Sequence, residues 1–153
     1  MKLIFLDFDG VINIPIWDAE GKDCRFYYPS DGKVNDFQAV CWLNELCKRT
    51  EAKIVLTTSW RRLRKFDVLK EILYNSGLNK DIEIIGETPI NNKTRSEQIL
   101  EFLDTCDENV ENFVILDDDP VEENLESRFV KCNYAYGFKQ PEMFKALNIL
   151  NNQ

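Results

Sequence analysis

One simple unit repeats along this chain: a short, uninterrupted apolar run, then a longer stretch with helical spacing. Residues 2–6 (KLIFL), 53–57 (KIVLT), 82–85 (IEII) and 113–116 (FVIL) are such runs, and 129–132 (FVKC) is a weaker fifth. Runs of this length, apolar on successive positions, mark strands buried on both faces rather than half-exposed alternating ones. Residues 35–49, 61–75, 96–105, 121–125 and 141–150 lie between or after them and carry helical patterns. Alternating strand and helix means parallel βαβ units with right-handed crossovers. The prediction is therefore a doubly wound α/β fold with helices on both faces of a parallel sheet. A length of 153 residues suits one domain, 1–153, with a core of adequate size.

Residues 13–34 break this rhythm. They hold Pro15, Gly21, Pro29 and Gly32, with Trp17, Phe26, Tyr27 and Tyr28 among them. A loop or short hairpin directly after strand one stands above the carboxyl ends of the strands, where open α/β sheets bind ligands. Its aromatics either pin it to the body or touch a substrate. The segment is small enough to be read as a minimal cap or flap.

What the chain lacks narrows its chemistry. It has no histidine, which removes Ser-His-Asp and Cys-His catalysis and His-dependent zinc sites. Its five cysteines, at 24, 41, 47, 106 and 132, form no CxxC pair and read as reduced thiols. A net charge of −8 argues against indiscriminate nucleic-acid binding, but not against a few local cations gripping one phosphorylated end. No apolar run approaches the roughly 20 residues of a membrane span. The opening MKLIFLDFDG meets two acids too early for a signal peptide, so a cytoplasmic protein is expected.

Acid–base chemistry must then rest mainly on carboxylates, Lys, Tyr or a metal-bound water. Four features at strand ends supply candidates. Asp7-Phe8-Asp9-Gly10 closes strand one; residues two apart share a side, so Asp7 and Asp9 face one site while Phe8 turns inward. Paired carboxylates call for a raised pKa or a neutralising cation. Thr57-Thr58-Ser59 closes strand two and offers hydroxyls and free N–H groups to an anion, or simply caps a helix, with Arg61 adding a cation. Lys93-Thr94-Arg95 precedes a helix start, and either base could neutralise a phosphoryl oxygen. Asp117-Asp118-Asp119 follows strand four, with Pro120 suited to the first turn of a helix. Three acids there are electrostatically costly unless at least one binds a cation, and hard oxygen ligands select Mg²⁺.

Together these motifs resemble the haloacid dehalogenase (HAD) superfamily: LDFDGV at 6–11, LTTSW at 56–60, the basic pair Lys93/Arg95, and ILDDDP at 115–120. The combination looks most like the HAD domains grouped with Swiss Army Knife RNA-repair proteins. The resemblance implies a Rossmann-like HAD fold and a Mg²⁺-dependent phosphomonoester hydrolase working through an aspartyl-phosphate. By position it implies that Asp7 attacks phosphorus and that Asp9 protonates the leaving oxygen and later deprotonates water. Thr58 and Ser59 would bind the phosphoryl group, and Lys93 or Arg95 would neutralise it. Asp7, Asp117, Asp118 and the backbone carbonyl of Asp9 would surround Mg²⁺. Capless members resemble enzymes of large substrates, so a nucleic-acid end, a nucleotide or another large phosphoester is the expected partner, with no membrane and no stable protein partner. A non-catalytic phosphate- or Mg²⁺-binding module and a phosphoryl transferase are the alternatives.

Overall fold

The computed structural model describes residues 1–25 and 32–152. Five strands form one wholly parallel sheet: β1 (Lys2–Leu6), β2 (Lys53–Leu56), β3 (Ile84–Glu87), β4 (Asn112–Asp117) and β5 (Phe129–Lys131), in the spatial order β3-β2-β1-β4-β5. The architecture is the Rossmann-like α/β sheet expected. Helices α1 (Phe37–Thr50), α2 (Phe66–Asn75), α3 (Arg95–Thr105) and α4 (Gln140–Asn151) flank it.

Pleating of the central strand divides the core. Ile4 and Leu6 pack with Leu43 and Leu46 of α1, Leu69 and Leu73 of α2 and Met143 and Ala146 of α4. Leu3 and Phe5 point the other way, onto Ile99, Phe102 and Leu103 of α3. Phe5 meets Phe102 and Phe113 edge-on at 5.8 and 5.7 Å. Both faces of β1 are thus dry, which is why its sequence shows no alternation.

Several boundaries differ from the sequence expectation, three of them for a visible physical reason. The helix expected over 61–75 is a 3-10 turn at Ser59–Arg62 followed by α2 from Phe66. The buried Arg61 side chain accounts for the break: it donates to the carbonyls of Thr58 (2.6 Å) and Thr88 and to Gln98 Oε1 (3.3 Å), fastening the turn to the neighbouring strand end. The helix expected over 121–125 is a 3-10 helix at Glu123–Arg128. Pro120 therefore lies ahead of the helix and not in its first turn, because Glu122 N–H is held by Ser96 Oγ of α3 (3.0 Å). The third strand begins at Ile84, since Ile82 sits in a turn closed by its N–H on Asn79 C=O.

The register of the sheet matters most for function. Leu6 lies level with Leu56 on one side and Leu116 on the other. The next residues, Asp7, Thr57 and Asp117, therefore leave the sheet side by side. Asp7 N–H still bonds to Leu116 C=O (3.1 Å) and Thr57 N–H to Leu6 C=O (2.9 Å). After β1 the chain winds outward to β2 and β3, then crosses to β4 on the opposite side. The gap between β1 and β4 is the topological switch point where such sheets bind ligands.

The described part of the insert folds into a narrow turn, with Cys24 N–H on Ile16 C=O (2.7 Å) and Asp18 N–H on Lys22 C=O (2.9 Å). Trp17 stands about half exposed on it. Phe26, Tyr27, Tyr28 and Pro29 lie outside the described residues. Among the described residues no helix is long and apolar enough to cross a membrane.

Candidate active site

Asp7 follows β1 directly and is almost wholly buried. Its Oδ1 accepts from Phe8 N–H (2.8 Å), fixing the carboxylate against its own backbone. Its Oδ2 lies 3.1 Å from Arg95 Nη1, and the same nitrogen donates to Asp117 Oδ2 at 2.6 Å. Arg95 opens α3, whose capping box pairs Thr94 with Glu97, so the helix entrance aims the guanidinium at the switch point. Asp117 is fully buried and also accepts from Asp119 N–H (3.0 Å). Carboxylate oxygens of Asp7, Asp117 and Asp118 all lie within 4.8 Å of one another.

This cluster holds more negative charge than Arg95 offsets. Burial, then the neighbouring charge of Asp117, pushes the Asp7 carboxyl well above the usual carboxylate range. Burial, a hydrogen bond with Asp117 and that residue's charge push Asp118 up to about 6. Burial works against the charge of Arg95, but Asp7 and Asp117 outweigh it and hold the guanidinium protonated. An excess of hard oxygen donors with raised pKa values suits a divalent cation such as Mg²⁺, which commonly binds through one or two carboxylates.

The native state keeps a proton on Asp118 up to about pH 6, whereas the unfolded chain releases it near pH 4. Between those values the unfolded state binds fewer protons, so metal-free stability falls as pH rises through the window. Asp7 adds in the same direction. Urea unfolding in EDTA at pH 4.5 and 6.5 is expected to show a smaller loss in Asp118→Asn than in the parent; equal losses would remove Asp118 as the source.

Phe8 turns inward as expected, fully buried and edge-on to Trp60 at 5.1 Å, but the carboxylates of Asp7 and Asp9 keep different partners. The Asp9 carboxylate is not in the acidic cluster. It accepts from Trp60 Nε1 (3.0 Å) on Oδ2, and from Asn13 Nδ2 (2.9 Å) and Arg25 Nη1 (3.3 Å) on Oδ1. Arg25 is itself buried, with Nη1 on Asn13 C=O (2.9 Å) and Nε 2.9 Å from Asp23 Oδ2. Asn13 and Trp60 stand within or beside the motifs read from sequence. Arg25 carried no sequence signal setting it apart from Lys22 or Lys33 in the same insert.

Gly10 makes the acidic loops fit together. Its φ is +79°, and a Cβ there would lie 2.6 Å from Asp118 Cγ. Gly10→Ala is expected to cost about 1–3 kcal/mol of backbone strain and to push Asp118 from the cluster. Thermal melts with and without Mg²⁺ check this: both the melting temperature and its rise with Mg²⁺ are expected to fall.

Thr58 is fully buried and caps the 3-10 turn, its Oγ1 accepting from Trp60 N–H (3.2 Å). Ser59 is exposed and lines two clefts: one of about 360 Å³ with Arg62, Lys93, Arg95 and Asp117, the other of about 410 Å³ with Asp9, Trp60 and Arg64. Lys93 stays at the rim of the first, half exposed and paired with Glu101 (3.2 Å). Of the two bases considered from sequence, Arg95 is the one in contact with the acids.

A family model for the HAD domain in Swiss Army Knife RNA repair proteins matches residues 3–143. The chain belongs to this HAD family. Searches of curated proteins and of solved structures returned no match. The match runs from β1 to the first turn of α4, including all four motif regions. Membership of the HAD family points to a hydrolase of the phosphatase kind, a class in which Mg²⁺ is common.

Proposed function

We propose that this HAD domain is a Mg²⁺-dependent phosphomonoester hydrolase acting on nucleic-acid ends or nucleotides. The observation that carries the reading is the buried cluster of Asp7, Arg95, Asp117 and Asp118 at the switch point between β1 and β4. Such a cluster is poor at stabilising a fold, since buried like charges repel. It is well suited to phosphoryl transfer, where charge neutralisation and a fixed nucleophile matter most.

In this reading Asp7 Oδ attacks phosphorus, and the bond from phosphorus to the leaving oxygen breaks. Asp9 gives that oxygen its proton, held in place by Trp60, Asn13 and Arg25. Asp9 then takes a proton from the water that attacks the aspartyl-phosphate, releasing phosphate and restoring Asp7. The Thr58 and Ser59 hydroxyls and the Arg95 guanidinium steady the phosphoryl oxygens, with Lys93 an outer charge at the cleft mouth. Asp7, Asp117, Asp118 and the Asp9 carbonyl would hold Mg²⁺, which supplies further neutralisation of the phosphoryl group when bound. The RNA-repair setting named for the family, and an insert too short to form a large cap domain, support a polynucleotide substrate.

The test is phosphate release with Mg²⁺ from nucleotides, 3′- and 5′-phosphorylated oligonucleotides, phosphopeptides and sugar phosphates. Release that peaks on the nucleic-acid members is expected. No release from any of them by folded, Mg²⁺-loaded protein would sink the hydrolase reading.

A further inference from the structure

We infer that the cleft beside Asp9, walled by Trp60, Leu63 and Arg64, is the subsite that receives the leaving group, and that it fits the terminal nucleotide of a single strand. The inference rests on the hydrolase reading above, because it takes Asp9 as the residue next to the leaving oxygen. Asp9 forms part of the wall of this cleft, and Asp7 does not. Whatever departs from phosphorus toward Asp9 therefore moves into it.

The lining says what that group is. The volume of about 410 Å³ lies in the range of small-ligand sites, which begins near 300 Å³. Trp60 is fixed by its Nε1 on Asp9 and by edge contact with Phe8, and the Arg64 guanidinium lies 4.9 Å from its ring centroid. Leu63, at the mouth, is 86% exposed, an apolar side chain left in water. An indole with a guanidinium laid over its ring, beside an aliphatic neighbour, offers a flat layer on which a base stacks. A sugar phosphate has no flat face to use it.

Charge points the same way. In a chain of net charge −8, the run Arg61-Arg62-Leu63-Arg64-Lys65 places exposed cations at 62, 64 and 65, with Arg64 in the wall of this cleft and the other two next to it in sequence. Arg61 belongs to the scaffold; the other three face solvent. They suit the next phosphodiesters of a strand whose terminal phosphate sits at Asp7.

The experiment measures binding apart from turnover. A fluorescein-labelled hexanucleotide with a terminal phosphate, in 3′ and 5′ forms, is titrated by anisotropy into the Asp7→Asn protein; wild-type protein in EDTA serves as a second turnover-free form. Adding Leu63→Ala and Arg64→Ala together is expected to raise Kd at least about tenfold and to flatten its salt dependence. An unchanged Kd would overturn the subsite. So would a phosphoserine peptide of equal charge that binds as tightly and loses as much. Phosphate release by the wild-type protein is followed in parallel. Binding that depends on Leu63 and Arg64 without any release sinks the hydrolase reading and the leaving-group role with it, and keeps the cleft only as a site for a terminal nucleotide. Release with binding indifferent to both residues does the reverse.

Discussion

Asp7→Asn is expected to abolish phosphate release, by at least about 10³-fold, and to leave the protein folded and no less stable. The first half follows from chemistry: an amide oxygen is a far weaker nucleophile, and removing a covalent catalyst removes the two-step route with it. The second half follows from the environment of Asp7. Asparagine keeps the acceptor that takes Phe8 N–H at 2.8 Å and nearly the same volume. What disappears is a buried charge beside Asp117 and Asp118, whose cost is recorded in the raised pKa of Asp7. Attraction to Arg95 is lost too, but Arg95 retains Asp117 at 2.6 Å. The melting temperature of the metal-free variant is therefore expected to equal or exceed that of the parent, with a scale of about 2–4 °C per kcal/mol for a chain of this size. Circular dichroism melts in EDTA beside a phosphate-release assay decide it. Retained release would remove Asp7 as nucleophile, and an unfolded variant would give it a structural role.

The sheet was legible in the sequence because burial on both faces leaves an unambiguous mark. Leu3, Ile4, Phe5 and Leu6 are all fully buried, and a run like KLIFL has few other uses. Parallel pairing of such runs then places Asp7 and Asp117 at one rim of the sheet. The broken helix after Ser59 was not legible, since its cause is a buried arginine tied to carbonyls distant in sequence, and RRLRK reads locally as an amphipathic helix. The contacts holding Asp9 were hidden for the same reason. Asn13 and Trp60 could be guessed from the motifs beside them, but Arg25 reaches Asp9 across 16 residues of an insert with no periodicity. The choice between Lys93 and Arg95 was also undecidable from spacing. It turns on where α3 begins, and the capping box at Thr94 puts Arg95 inside the first turn, aimed at the acids, with Lys93 outside it.

That distinction yields the second large effect. Arg95→Ala is expected to destabilise the metal-free protein by about 3 kcal/mol, the lower end for stripping one partner from a buried ion pair, whereas Lys93→Ala is expected to stay within about 1 kcal/mol. One guanidinium nitrogen serves Asp7 at 3.1 Å and Asp117 at 2.6 Å, so its removal leaves two buried carboxylates without their shared counter-charge. Lys93 gives up only an exposed contact with Glu101. Proton uptake by Asp7, already favoured by burial, absorbs part of the loss in Arg95→Ala and sets the lower end of the range. A divalent cation held by the same acids would absorb more, so Mg²⁺ is expected to raise the melting temperature of Arg95→Ala further than that of the parent. Arg95→Lys is expected to recover stability only in part, because a strongly hydrated ammonium on a flexible stem replaces a planar, preorganised and more weakly hydrated guanidinium. Phosphate release is expected to fall at least about 100-fold in Arg95→Ala and to change little in Lys93→Ala. Equal effects of the two substitutions, on melting and on turnover alike, would mean that the contact of Arg95 with both acids carries no function and that the rim and the centre of the cleft act as one diffuse patch of charge.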